Sequence, residues 1–168
     1  MHGKLEQQSG TFFPDRIGRG IVKCNMISFK VDGIPRPGGS KNAFKNPRTG
    51  GIIVTEAGKH TAQWRKKCAA EARLAWQGKL LSEPLSLEVT FSFQRPRSHY
   101  GSGKNSTLLK PSSPQHHTSK PDTTKLLRAL EDALTGIIWV DDSQVVHQSA
   151  TKKWDTAGGA TVKISKAQ

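Results

Sequence analysis

Leu85, Leu87, Val89, Phe91 and Phe93 alternate without a break with Ser86, Glu88, Thr90, Ser92 and Gln94. Side chains of a strand point by turns to its two faces, so this run has one apolar and one polar face. Such a strand belongs in a sheet that is covered on one side and wet on the other. The rest of the chain has to supply the cover.

Two stretches read as the helices that do so. Thr55 to Gln77 places Trp64, Cys68, Ala72, Ala75 and Trp76 on one side, and Gly78 ends it. After Pro121, the residues Leu126, Leu127, Leu130, Ala133 and Leu134 recur at helical spacing. Gly136 stands where a C-terminal glycine should. Ile137 to Val140 then reads as a short buried strand, ended by Asp141-Asp142, with Val145-Val146 opening the next. Further strands are expected at Ile27–Val31, Ile52–Val54, Gln144–Trp154 and Ala160–Ile164, with a turn from Asp155 to Gly159. Strands and helices mix without a regular βαβ repeat. The fold class is therefore α+β: a small mixed sheet with two main helices packed on it, in a single domain spanning 26–168. Residues 1–25 are polar and glycine-containing. They are expected to form a partly disordered extension, with Met26 as an alternative start.

Charge narrows the partner. Lys and Arg number 26 against 13 acids in 168 residues, a net charge of +13. That excess makes a polyanion the natural partner, DNA or RNA, against the plainer reading of a soluble basic protein. An RNA binder of the common aromatic type is disfavoured, because no RNP-like signature is visible. No apolar run is long enough for a membrane span, and Met1 to Asn25 has no signal-like apolar core. Cys24 and Cys68 stand alone, as ordinary reduced thiols of a cytoplasmic protein do.

The cations cluster. Gly33 to Gly51 holds Pro35, Pro37, Gly38, Gly39 and Pro47 with Arg36, Lys41, Lys45 and Arg48, and reads as a mobile basic loop. Its glycines would let backbone N–H groups approach phosphate; the alternative is a solvated loop. Lys152, Lys153 and Trp154 read either as a DNA-facing edge or as a strand edge protected by lysines. Arg95 to Lys120 has no periodicity and leads straight to Asp122, so it is expected to act as a flap. Its His99, His116 and His117 lack the spacing of a zinc site.

The acids carry the chemistry. A helix starting at Asp122 and packed on the following strands would bring Asp122 close to Asp142. Two such carboxylates repel and need a cation or a shared proton, and oxygen ligands of this kind suit Mg²⁺. The alternative is that Asp122 is a helix cap and Asp141-Asp142 a turn.

The stretch resembles the RusA-type endodeoxyribonucleases, which resolve Holliday junctions and are common in phages and prophages. The family pattern K-P-D-x-D-[NK]-L-x-[KR], D-A-L-x-G, D-D-x-Q-V is met by Lys120-Pro121-Asp122, Leu126, Arg128, Asp132-Ala133-Leu134, Gly136, Asp141-Asp142 and Gln144-Val145. Weaker likeness runs from about Met26 to Ile164. The resemblance implies a homodimer with two active sites that cuts four-way DNA junctions by paired nicks, in a bacterial or phage-infected cell. It implies Mg²⁺ or Mn²⁺ held by Asp122 and Asp142 with Asp141 assisting, and no small-molecule cofactor. Arg128 takes the family's basic position, where its planar fork is not equivalent to Lys. Lys120 and Lys125 would bind the phosphodiester. One departure matters: the family's second acid is Thr124 here, which supplies no charge. Either the site works with Asp122, Asp142 and a neighbour, or the chain binds junctions and no longer cuts. Asp141 is the best-placed spare acid. Glu131 and Asp132 lie more than two helical turns from Asp122 and make poor candidates.

Overall fold

The computed structural model describes residues 26–39, 41–56 and 60–168. The extension expected over 1–25, Cys24 included, lies outside the described residues. Strands β1 (Met26–Asp32), β2 (Lys41–Lys45) and β3 (Ile52–Glu56) are followed by helix α1 (Thr61–Ala75) and strand β4 (Leu85–Gln94). A long connection leads to helix α2 (Thr123–Leu134), then to β5 (Val145–Asp155) and β6 (Gly159–Lys166). No described helix is long and apolar enough to cross a membrane.

Four strands form one sheet in the order β1-β6-β4-β5. β6 pairs antiparallel with both β1 and β4, whereas β5 pairs parallel with β4, Val89 facing Ala150 and Phe91 facing Lys152. The parallel pair requires a crossover, and α2 is that crossover. The alternation of β4 works as its residues dictate. Leu85, Leu87, Val89, Phe91 and Phe93 are buried with Ile27, Phe29 and Val31 of β1 and Ala160, Val162 and Ile164 of β6. Both helices cover this face. Trp64, Cys68 and Ala72 of α1 and Leu126, Leu130 and Leu134 of α2 complete the core. Burial pushes the Cys68 thiol up to about 12, the environment of a packing residue rather than a nucleophile.

Three expectations are corrected. Ile137–Val140 forms no strand. Thr135 (φ −58, ψ 131) and Gly136 (φ 75) make a type II turn instead, in which the Ile137 N–H donates to the Leu134 carbonyl at 3.0 Å. The turn drops Ile138 and Trp139 into the core and leaves Val140 exposed. Trp139 is held there by its Nε1 donating to the Thr135 Oγ1 at 3.1 Å. The first helix is shorter than expected: Thr55 and Glu56 belong to β3, and the backbone turns extended at Trp76, past the helix end at Ala75. The basic loop is only partly a loop: Lys41–Lys45 pairs with Ile52–Glu56 in a separate two-stranded hairpin. The stretch preceding the hairpin is fastened down. The Gly33 N–H donates to the Gly158 carbonyl at 3.1 Å, Thr61 Oγ1 to the Pro37 carbonyl at 2.9 Å, and the Gly38 N–H to the Lys125 carbonyl at 2.8 Å. Gly38 is thus used for contact with α2, and its N–H is not free for phosphate.

Candidate active site

The chain enters α2 through a cis Lys120–Pro121 peptide. Asp122 then occupies the N-cap position (φ −68, ψ 141), and its carbonyl accepts the first helical N–H, from Leu126 at 3.1 Å. Its side chain makes no capping hydrogen bond. The carboxylate is exposed and pairs with Lys125 Nζ at 3.4 Å. The capping reading of Asp122 therefore fails on the side chain, although the backbone position is right. Thr124, also exposed, stands in the first turn.

Asp141 and Asp142 differ in kind. Asp141 Oδ1 accepts from the Ser143 N–H at 2.9 Å, and Gln144 Oε1 accepts from the N–H groups of Val140 and Asp141, both at 3.0 Å. This is a reciprocal capping box around a short 3-10 turn, Asp142–Gln144. Hydrogen bonds from Ser143 hold the Asp141 carboxyl below the usual carboxylate range. The Gln144 amide donates to the carbonyls of Leu81 (2.9 Å) and Glu83 (3.3 Å), which ties the turn to the segment before β4. Asp141 is turn chemistry, with one oxygen committed, while Asp142 stands exposed on the turn.

Asp142 faces Glu131. Glu131 is buried in the last turn of α2 and accepts from Gln148 Nε2 of β5. Burial first, then the charges of Asp142 and Asp132, push its carboxyl up to about 7. Sequence reasoning set Glu131 aside for its distance from Asp122 and missed its nearness to Asp142. The signal was there: an acid lying in the apolar stripe between Leu127 and Leu134. Asp132 is turned to α1 instead, where it pairs with Arg65.

The structure does not bring Asp122 and Asp142 together through α2 as expected. Lys152 Nζ of β5 donates to the carbonyls of Ser119 and Pro121, both at 2.9 Å, at the start of α2. Gln148, nearer the start of β5, reaches Glu131 at the other end. α2 therefore runs antiparallel to β5, with Asp142 beside its C-terminal end and Asp122 at its N-terminus. Asp122 and Glu131 are nine positions apart, which is about 13 Å along a helix axis. A hard divalent ion takes oxygen ligands at about 2–2.6 Å. Asp142 is near enough to Glu131 for its charge to help raise the Glu131 carboxyl. Asp122 does not reach the same ion within one chain. Among the described residues, no three His, Cys, Asp or Glu side chains are grouped as metal ligands.

The basic candidates are scattered. Arg128 is exposed on α2 against Gly39, whose added Cβ would meet Arg128 Cδ at 3.0 Å. Lys120 and Lys125 flank Asp122 and are exposed. Lys152 has its ammonium engaged by the two carbonyls, and Lys153, on the opposite face of β5, pairs with Asp155 at 2.9 Å. Lys152 is thus engaged by the chain before α2, whereas Lys153 stays exposed, and the two lie on opposite faces of β5. Arg36 lines a notch of about 150 Å³ with His60, Gln63 and Lys67, beside α1. Lys41 and Lys45 lie on β2 of the hairpin, Lys45 exposed.

The flap is pinned as well. His117 is buried between Phe93 and Trp154, each ring 4.2 Å away, and His99 meets Trp154 edge-on at 5.0 Å. Trp154 Nε1 donates to the His116 carbonyl at 3.1 Å. Burial, opposed by backbone hydrogen bonds and reinforced by Lys152, lowers the His117 pKa. This packing carries the chain from β4 to the Lys152 clamp and so sets where Asp122 emerges.

A one-sided mixed sheet, with exposed carboxylates at the two ends of its crossover helix amid excess cations, is suited to acid chemistry on a polyanion. The family model for the endodeoxyribonuclease RusA matches residues 35–165, and the chain belongs to that family. The family's activity is that of an endodeoxyribonuclease resolving Holliday junctions. A search of curated proteins gave no match.

Proposed function

We propose that this chain is a divalent-metal-dependent endodeoxyribonuclease that makes paired nicks in four-way DNA junctions, with Mg²⁺ or Mn²⁺ as cofactor. The observation that carries the reading is Asp122, an N-cap residue whose carboxylate does not cap. A helix gains about 1 kcal/mol from a capping side chain, and this one forgoes it to leave the group in solvent. When bound, the ion would supply charge neutralisation and a more acidic water. Asp142 and Glu131 would hold it at one end of α2, and Asp122 is the third acid. Asp141 has a positioning role, since its carboxylate builds the turn that presents Asp142. Lys125 pairs with the Asp122 carboxylate and Arg128 stands exposed further along α2; both can bind the phosphodiester, Arg128 as a planar fork. Lys120 adds charge at the same end, and Arg36, Lys41 and Lys45 meet flanking DNA.

The test is cleavage of a synthetic four-way junction in Mg²⁺, in Mn²⁺ and in chelator, beside linear duplex, Asp122→Asn and Asp142→Asn. Paired nicks in the wild type that need metal and both acids are expected, with junction binding retained in the variants. Full activity in either variant overturns the assignment. Thr124, at the place of the family's second acid, motivates the second reading, a junction binder without cleavage. That reading expects salt-sensitive binding and no nick in either metal, and makes Thr124→Asp the variant that restores one.

A further inference from the structure

Strands β2 and β3 stand apart from the main sheet as a hairpin of their own. Register sets its faces. Phe44 pairs directly with Ile53, so the two share one face, and Lys45 pairs with Ile52 on the other. Neither face is covered. Phe44 is 50% exposed and Ile52 75%, and Ala43, Lys45 and Ile53 are exposed as well. A lone hairpin has little stability of its own and would gain by burying its apolar pair on a neighbour. This one keeps Phe44, Ile52 and Ile53 in water. Apolar surface held out in this way marks a contact surface.

The tip between the strands is braced. The Asn46 N–H donates to the Gly51 carbonyl at 2.7 Å, the Gly50 N–H to the Asn46 carbonyl at 2.8 Å, and the Arg48 N–H to Asn46 Oδ1 at 2.9 Å. Arg48 is exposed on that tip, and no acid occurs from Ala43 to Ile53. The foot of the hairpin is anchored on α2. The Gly38 N–H donates to the carbonyl of Lys125, whose ammonium pairs with Asp122, and Gly39 lies against Arg128. Phe44 is five residues past Gly39, and so at most about 18 Å from it.

Charge and chemistry select the occupant. Cations without acids fit a polyanion. A bare phenylalanine adds what phosphate contacts lack, a flat apolar face on which a base can stack. In linear duplex every base is already stacked on both sides. At a branch point the stack is interrupted, and an apolar side chain can enter a step that is already open. We infer that the β2–β3 hairpin recognises the branch itself: Phe44, backed by Ile53, stacks on a base opened at the junction centre, while Lys45 and Arg48 hold the adjoining phosphates. The inference rests on the nuclease reading for its partner. It assigns selectivity for branched over linear DNA to a surface separate from the acids.

Two experiments test it, neither of which needs cleavage. In the first, Phe44→Ala, Phe44→Leu and Phe44→Trp are titrated in chelator against a four-way junction and against linear duplex. The side chain is exposed, so all three should melt with the wild type. Phe44→Ala and Phe44→Leu should lose about tenfold in junction affinity and little on duplex, whereas Phe44→Trp keeps the preference. The salt dependence should not change, because no charge is altered. An unchanged junction-to-duplex ratio in Phe44→Ala overturns the inference and leaves the nuclease reading to its own test.

In the second, Phe44 is replaced by the photoreactive analogue p-benzoylphenylalanine. The protein is irradiated on the junction and the crosslinked nucleotides are mapped. Crosslinks at the branch are expected. Crosslinks confined to the arms overturn the inference, and so do crosslinks to a second copy of the chain, which would make the hairpin a protein contact. A protein that crosslinks at the branch and never nicks supports the inference and removes the nuclease reading.

Discussion

The Gln144 side-chain amide donates to the Leu81 carbonyl at 2.9 Å while its oxygen accepts from the N–H groups of Val140 and Asp141. One side chain thus fixes the acidic turn from inside and ties it to the segment before β4. Gln144→Ala removes all of these bonds together. The exposed N–H groups of Val140 and Asp141 can turn to water, but the half-buried carbonyls of Leu81 and Glu83 lose their donor, at a cost of about 1–3 kcal/mol. The variant should unfold at lower denaturant by that margin and lose junction cleavage, because Asp142 is no longer presented. Junction affinity should hold, since Gln144 carries no charge. Paired measurements of chemical unfolding, nicking rate and binding check this; unchanged nicking would show that the turn does not position Asp142.

Lys152 offers a sharper contrast. As a phosphate contact, its loss would lower the slope of log affinity against log salt by about 0.9. The ammonium is instead engaged by the carbonyls of Ser119 and Pro121, just before Asp122. Lys152→Met should therefore leave the salt slope unchanged while nicking falls, because the chain entering α2 loses its clamp. Lys125→Met is the comparison: exposed beside Asp122, it should reduce the slope. Titrating junction binding across a range of salt for both variants distinguishes the two roles.

Much of the fold was legible because periodicity reports it directly. The alternation of Leu85 to Phe93 and the leucine stripe of α2 each encode one buried face, and both faces are buried as read. What failed was nonlocal or ambiguous. Four apolar residues in a row, Ile137 to Val140, are a strand or a tucked turn with equal right, and the choice was made by the type II turn at Thr135-Gly136. The parallel pairing of β4 and β5 depends on where the crossover lands. The antiparallel run of α2 along β5 rests on Lys152 and Gln148, whose partners are distant in sequence. That direction decides which acids meet. Hence Asp122 and Asp142 were each legible as candidate acids, and their separation was not. Glu131 was legible only as an oddity in an apolar stripe.

Gly38 tests the packing of the basic segment on α2. A Cβ there would lie 3.1 Å from both the Cα and the Cβ of Ala129 and 3.2 Å from its backbone nitrogen. A helix backbone does not yield, so Gly38→Ala must push the segment away and strain the hydrogen bond to the Lys125 carbonyl. Overpacking of this kind costs about 1–3 kcal/mol. Gly51→Ala is the control, because its nearest neighbour would be Thr49 Oγ1 at 3.6 Å. Thermal unfolding should separate the two variants clearly; equal melting temperatures would mean that the segment does not rest on α2.

His117 predicts a pH dependence. Burial between Phe93 and Trp154 lowers its pKa from 6.5, so the folded protein holds the ring neutral. The unfolded chain takes up a proton first as pH falls. By linkage, the unfolded state then binds more protons and stability rises with pH. The contribution of His117 is fully present above the unfolded value of about 6.5 and is lost as pH falls through it towards the lower folded value. His117→Phe keeps a ring between the same two aromatics and cannot titrate. Its melting temperature should therefore fall less than the wild type's between about pH 7.5 and pH 5. Above that window the two proteins should differ only by a constant offset. Parallel acid limbs for wild type and variant would place His117 outside the titrating set.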